Sequence, residues 1–161
     1  MNESSAKPPL PVFRGMHGKQ IDAKNRIGIP GPFRALLPAE APETVILAIG
    51  IDPSAEYLEA WTAAGWERVL EDVARLADPI ERRAMERGYV AQAVECKLDG
   101  QGRIVIPPYY RQWAGLDADV LWIGGGNLME LWAKSRYEAQ QRTLRQNAFQ
   151  VYLNNRGHFR G

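Results

Sequence analysis

Hydrophobic positions along the chain change period several times, and each change marks an element. Ile27 and Ile29, and again Ile104 and Ile106, recur with the period of two of a half-buried strand. They predict strands over residues 26–29 and 103–106, each preceded by a shorter strand, at 19–22 and 94–98. A tight turn separates the members of each pair. Asn25 and Gly102 hold equivalent turn positions, and both residue types accept the left-handed backbone that a hairpin turn requires. Pro30, Gly31 and Pro32, and later Pro107 and Pro108, then introduce short helices. Proline suits a first helical turn because the N–H it lacks has no partner there. Gly115 is placed to end the second of these helices. Strands at 45–49 with 57–61, and at 120–123 with 128–132, close each unit. Gly124, Gly125, Gly126 and Asn127 form the hairpin loop between the last two.

Between these units the period lengthens. Trp66, Val69, Leu70, Val73 and Leu76 fall on one face of a helix, and that stripe is read as core rather than as a cofactor pocket. Asp78 is an N-cap, Pro79 occupies the first position of a second helix, and Glu81 completes a capping box. Residues 134–144 offer a matching helix at the end of the second unit, and an Arg-rich tail follows.

The two units are copies. Asp22, Arg26, Ile27, Ile29, Pro30, Phe33 and Arg34 recur 77 positions later as Asp99, Arg103, Ile104, Ile106, Pro107, Tyr110 and Arg111. Further on, Leu58, Glu59, Ala60 and Trp61 match Met129, Glu130, Leu131 and Trp132 at an offset of 71, and Trp66 then matches Tyr137. The falling offset predicts a shorter loop in the second copy. A unit this small buries too little apolar surface to stand alone, so the halves are expected to pack as a pseudo-dimer, each completing the other's core.

Composition adds constraints. With 45% hydrophobic and 24% charged residues the chain is ordinary for a globular fold. The net charge of +1 argues against a uniformly basic nucleic-acid binder, but charge is sorted along the chain. Residues 13–34 hold five basic residues against one acid, residues 52–87 hold nine acids against five arginines, and the last 23 residues hold four arginines and no acid. Cys96 is the single cysteine, which suits a reducing compartment, and it is read as a small core hydrophobe. No signal peptide and no apolar run of membrane-spanning length is found, so a cytoplasmic protein is expected. His17 and His158 are isolated from each other and from Cys96, and no metal-ligand spacing or phosphate-loop motif occurs. Neither catalysis nor a cofactor or metal is expected.

The motifs together resemble those of MraZ proteins. Phe13, Arg14 and Gly15, then the block from Asp22 to Pro30 with Phe33 and Arg34, resemble the opening of that family. Glu81, Arg82 and Arg83, then Ala93 to Cys96, the block from Asp99 to Arg103, Pro107, Pro108, Arg111 and Ala114 to Leu116 resemble its second half, and Asn127 to Trp132 resembles that half's ending. The resemblance implies an α+β fold of two AbrB-like swapped-hairpin, β-rich halves forming a pseudo-dimeric barrel with connecting helices. It also implies a sequence-specific DNA binder that assembles into rings and regulates the division and cell-wall gene cluster, its own gene included, in the nucleoid. The expected organisation is a disordered tail (1–12), a first half (13–62), a helical connector (63–89), a second half (90–134), and a C-terminal helix with a basic tail (135–161). Three departures stand out: Asn25 replaces the usual Gly of the first turn, Lys19 replaces a common His, and the twelve residues before Phe13 and the tail after roughly Leu144 have no clear counterpart in the family.

In that family the first Asp-x-x-x-Arg turn is associated with DNA contact, which falls here on Lys24 and Arg26, with Gln101 and Arg103 as the second-half equivalents. An arginine beside a rigid turn can bond bidentately to guanine or clamp a phosphate, and a two-stranded ribbon fits the major groove. Arg26 is the candidate for base contact, and Lys24, Lys19 and Arg14 for phosphates, with Arg103 as a further candidate. The opposing reading has Asp22 pairing with Arg26, and Asp99 with Arg103, across their own turns to hold the fold. Asp22, Asp99, Arg34 and Arg111 are read as structural. The expected partners are double-stranded DNA and further copies of the chain. The alternative function is a ring-forming scaffold that binds protein or RNA.

Overall fold

Cross-half strand pairing organises the molecule, and the computed structural model describes it for residues 6–39 and 43–161. Residues 1–5 of the expected disordered tail lie outside the described residues. Residues 6–12 form no helix or strand, but Lys7 pairs with Glu71 and the Pro8 carbonyl accepts a bond from Arg68.

The first half comprises β1 (Met16–Gln20), β2 (Arg26–Gly28), the one-turn helix α1 (Gly31–Arg34), β3 (Thr44–Ile49) and β4 (Leu58–Trp61). Two helices, α2 (Ala63–Ala74) and α3 (Pro79–Gly88), connect it to the second half. There β5 (Val94–Lys97), β6 (Arg103–Val105), α4 (Pro108–Trp113), β7 (Asp119–Gly124) and β8 (Met129–Ala133) repeat the series, and α5 (Lys134–Asn154) follows. The architecture is mixed α+β with two β-rich halves, as expected from the duplication.

The strands flanking each turn do not form a hairpin with one another. β1 pairs with β7 of the other half, β5 with β3, and β2 with β6, all antiparallel. With the two local hairpins this gives a six-stranded sheet in the order β1-β7-β8-β4-β3-β5 and a separate β2-β6 ladder. The order reads the same from either end once the halves are exchanged, so a pseudo-twofold axis passes between β4 and β8. The expected barrel does not form. β1 and β5 remain at opposite edges of the open sheet, because β2 and β6 leave it at the turns and pair only with each other.

The main core fills the space between that sheet and the β2-β6 ladder. Ile27 and Ile104 face each other in register on the ladder and are almost wholly buried, together with Ile29, Ile106, Phe33, Leu47, Leu58, Trp122 and Leu131. Residues from both halves are interleaved here, so neither half encloses a core by itself. Cys96 is part of this cluster, and burial pushes its thiol up to about 11. The loop between β3 and β4 runs from Gly50 to Tyr57, whereas that between β7 and β8 is Gly125 to Leu128; this shortening by four residues accounts for most of the fall in the repeat offset.

The sheet's other face is covered by helices. Thr62 caps α2 by accepting from the Gly65 amide at 3.0 Å, and Trp66 packs against Trp61 and Tyr89. Asp78 caps α3 by accepting from Ile80 N at 2.8 Å, one residue before the Glu81 position of the expected box. Gly115, with φ +61°, ends α4 as the sequence predicts. The pseudo-twofold partner of α2 is α5, where Tyr137 packs against Trp132 as Trp66 does against Trp61. α5 continues ten residues past Leu144, through what reads in the sequence as tail. No Gly or Pro interrupts residues 134–154, and Ala, Gln, Arg and Leu there favour helix.

Candidate nucleic-acid interface

Both Asp-x-x-x-Arg turns fold identically, for a local reason. The Asp22 carboxylate accepts from the Lys24 amide at 2.8 Å and the Arg26 amide at 2.9 Å through one oxygen, and from Arg26 Nε at 2.7 Å through the other. Asp99 repeats this with Gln101 N at 2.9 Å, Arg103 N at 2.9 Å and Arg103 Nε at 2.8 Å. A carboxylate accepting backbone bonds is stabilised in its charged form. The backbone bond from Arg26, followed by its guanidinium, lowers Asp22 below its ordinary value, and Arg103 does the same to Asp99. Asn25 and Gly102 take left-handed backbone, φ +61° and +72°, so that the chain can reverse inside the carboxylate's reach.

The first turn is locked from the opposite half by side-chain hydrogen bonds, and the second is only packed against by a side chain. Arg111 of α4 donates from Nη1 to the Asp22 carbonyl at 2.8 Å and to Asn25 Oδ1 at 2.9 Å, while its Nε bonds the Leu116 carbonyl at 3.0 Å. Arg34 lies against Gly102, where a Cβ would fall 2.7 Å from Nη1, and its Nε pairs with Glu43 at 3.3 Å. Ladder-end bonds from Ile29 N to Gly102 O (3.0 Å) and from Ile106 N to Asn25 O (2.8 Å) complete the link. The cross-half clamp leaves no local signature in the sequence, although the pairing of Arg34 with Arg111 in the repeat marks them as equivalent.

The ladder brings Arg26 and Arg103 together from 77 positions apart. Arg26 registers with Val105 and Arg103 with Gly28, which puts their Cα atoms about 8 Å apart at a ~3.3 Å rise and ~4.8 Å strand spacing. Both side chains are about one-third exposed, at 35% and 31%. Each guanidinium spends its Nε on its own aspartate, and among the described residues no hydrogen bond reaches the Nη atoms of either. Pairing across the turn and contact with an outside acceptor are therefore compatible. The aspartate orients the guanidinium, and the outer N–H groups stay available for a bidentate acceptor. Lys24 is exposed at the tip of the first turn, and Lys19 is exposed at the end of β1 leading into it. Arg14 is not grouped with them. It precedes β1, at the end of that strand farthest from the turn, beside Gly124 and the Phe13–Gly126 bridge.

The duplication of the turn is matched by a duplicated fit to one family model. The family model described as "MraZ protein, putative antitoxin-like" fits residues 12–87 and again 89–154. This chain belongs to the MraZ family. A protein named "Transcriptional regulator MraZ" from Coxiella burnetii (strain Dugway 5J108-111) is 38% identical over 129 residues, covering 79% of this chain and 83% of that protein. Proteins of the same name from Lachnoclostridium phytofermentans (35% over 128 residues, 80% and 86%) and Shewanella frigidimarina (37% over 131 residues, 80% and 84%) are similar over the same span. These MraZ relatives are named for regulating transcription rather than for a catalysed reaction. Among the described residues no group of His, Cys, Asp or Glu could hold a metal, and no helix is long and apolar enough to cross a membrane.

Proposed function

We propose that this chain is a sequence-specific DNA-binding transcriptional regulator that reads duplex DNA through its first Asp-x-x-x-Arg turn. The observation that carries the reading is the turn itself. Asp22 and Arg111 hold it from both sides, and the Arg26 side chain is about one-third exposed, with no hydrogen bond to its Nη groups among the described residues. Arg26 is assigned to base-edge contact, Lys24 and Lys19 to flanking phosphates, and Arg103 to a second, weaker contact from the other end of the ladder. Arg14 contributes, at most, a phosphate contact remote from the turn. The relatives' name and the local charge of residues 13–34 support this reading. Division and cell-wall genes, including its own promoter, are the proposed targets, and the cytoplasm and nucleoid the proposed location.

One chain offers few contacts, so the proposal includes a ring of copies. Neighbouring turns would then meet several short direct repeats, and linkage of contacts raises avidity by ~10²–10⁴. A gel-shift titration on the chain's own upstream region, beside a scrambled duplex at two salt concentrations, tests the reading. Selective, salt-sensitive binding is expected, and Arg26→Ala should weaken it by ~1–3 kcal/mol and relax base choice. Equal affinity for both duplexes, or none for either at low salt, refutes it in favour of a scaffold for protein or RNA.

A further inference from the structure

Among the described residues the distal part of α5 has no packing partner from the body of its own chain. Leu144 is the last α5 residue that packs against the body, beside Trp132 and Tyr137. From Arg145 to Gly161 only Leu153 is even partly buried. At ~1.5 Å per residue the helix end stands about 15 Å past Leu144, and an unbroken helix cannot turn back onto its own body. This projecting segment has a distinct chemistry. Phe149 is 62% exposed, and Tyr152 and Phe159 pack with ring centroids 5.1 Å apart, tilted at 44°, into an exposed aromatic tip. Arg142, Arg145, Arg156 and Arg160 surround it, and no acid occurs after Glu138. Exposed aromatic residues grouped at one point are costly in water and mark an interaction surface.

The opposite surface exists on the same molecule. Where α2 and α3 meet the sheet they leave an open groove of about 420 Å³ lined by Trp61, Val69, Val73, Leu76, Met85 and Leu128, with Asp72 as its exposed acid; Glu59 at its floor is buried and bonded to Tyr89 and Trp61. Most of its lining comes from residues 52–87, the segment where acids outnumber arginines nine to five. We infer that the aromatic, basic end of α5 docks into this apolar groove, set in the acid-rich segment, of a second copy of the chain. The two surfaces differ, so the contact is head-to-tail, and repetition of one such contact generates a ring or an open filament. Charge complementarity sets the orientation and disfavours tip-to-tip or groove-to-groove association. The inference supplies the interface for the oligomer in the proposed function and rests on that clause of it.

Two measurements on the full chain test it. Tyr152→Cys and Leu76→Cys proteins are prepared separately, then mixed and oxidised; the native Cys96 is buried and stays out of the exchange. A disulfide-linked species should form at least tenfold more in the mixture than in either protein alone. No enrichment overturns the docking. In parallel, light scattering compares the native chain with Phe149→Asp/Tyr152→Asp, whose substitutions sit on exposed helix and leave the core intact. A fall of the variant to monomer mass is expected. If native and variant assemble equally, the docking is wrong while the oligomer stands. If the native chain is monomeric at every concentration, the oligomer clause fails and the docking with it. A loss of DNA affinity at unchanged mass would make the helix end a nucleic-acid arm and overturn the docking.

Discussion

Arg111→Ala tests the idea that the second half of the molecule sets the first half's turn. The side chain makes three hydrogen bonds from a charged donor, to the Asp22 carbonyl, Asn25 Oδ1 and the Leu116 carbonyl, at 2.8, 2.9 and 3.0 Å. A bond to a charged group contributes about 1.5–3 kcal/mol net, and bonds sharing one side chain are not additive. Truncation should therefore cost about 3–5 kcal/mol of unfolding free energy. Arg34, the repeat equivalent, has one ion pair at 3.3 Å between groups 39% and 30% exposed; screening by solvent limits Arg34→Ala to about 0.5–1 kcal/mol. Urea unfolding followed by tryptophan fluorescence gives both values. Arg111→Lys should rescue little, since an ammonium cannot reproduce the planar fork that spans two segments. Equal costs for the two arginines, or less than about 1 kcal/mol for Arg111→Ala, would refute the cross-half clamp.

Gly102→Ala places a methyl in left-handed backbone and 2.7 Å from Arg34 Nη1, so denaturation should show it less stable than Asn25→Gly, which keeps the turn and loses only one acceptor for Arg111. Glu59 and Glu130 lie directly opposite across β4 and β8, and burial raises Glu130 above its ordinary value. Its folded state thus favours the proton, and stability is lost as pH rises through that range. Glu130→Gln should therefore raise the melting temperature at pH 7, with the gain shrinking toward pH 4; a pH-independent gain would contradict the buried-carboxylate argument. Among the described residues Trp122 Nε1 is the one buried side-chain polar atom without a partner, so Trp122→Phe should cost under about 1 kcal/mol by calorimetry, relief of the orphan donor offsetting lost packing.

What the sequence revealed was what neighbouring residues decide. The turns at Asp22 and Asp99, the end of α4 at Gly115 and the cap at Asp78 each depend on residues within four positions of one another. Strand pairing does not. The strand before Asp22 could pair with the strand after Arg26 or with β7, and the alternation of apolar residues is satisfied either way. Only the need to bury both Ile27 and Ile104 in one core selects the swap. Glu59 and Glu130 are visible as a repeat pair, but their meeting, one buried and one half-buried, follows from register across the pseudo-twofold axis. Each accepts a bond from a tryptophan Nε1 two residues on, Trp61 at 3.2 Å and Trp132 at 3.0 Å, a spacing that hints at a polar partner inside the sheet.

Duplication has left two turns of one geometry and different charge, and this separates the role of the scaffold from that of recognition. The carboxylate bonds, the left-handed residue and the orientation of the outer guanidinium are shared. Lys24 at the tip of the first turn is replaced by the exposed, neutral Gln101 in the second. If geometry alone fixed DNA contact, both turns would contribute equally. If phosphate neutralisation decides which turn engages, adding the missing charge should recruit the second. Gln101→Lys changes no hydrogen bond in the turn, because Asp99 accepts from the residue's backbone amide and not its side chain. The variant should bind its duplex more tightly at low salt and steepen the dependence of log affinity on log salt by about one for each new phosphate contact. Arg103→Ala should matter more in that background than in the native chain. An unchanged salt slope would mean the second turn faces away from the duplex, leaving Asp99 and Arg103 to close the ladder and Arg26 to read DNA alone.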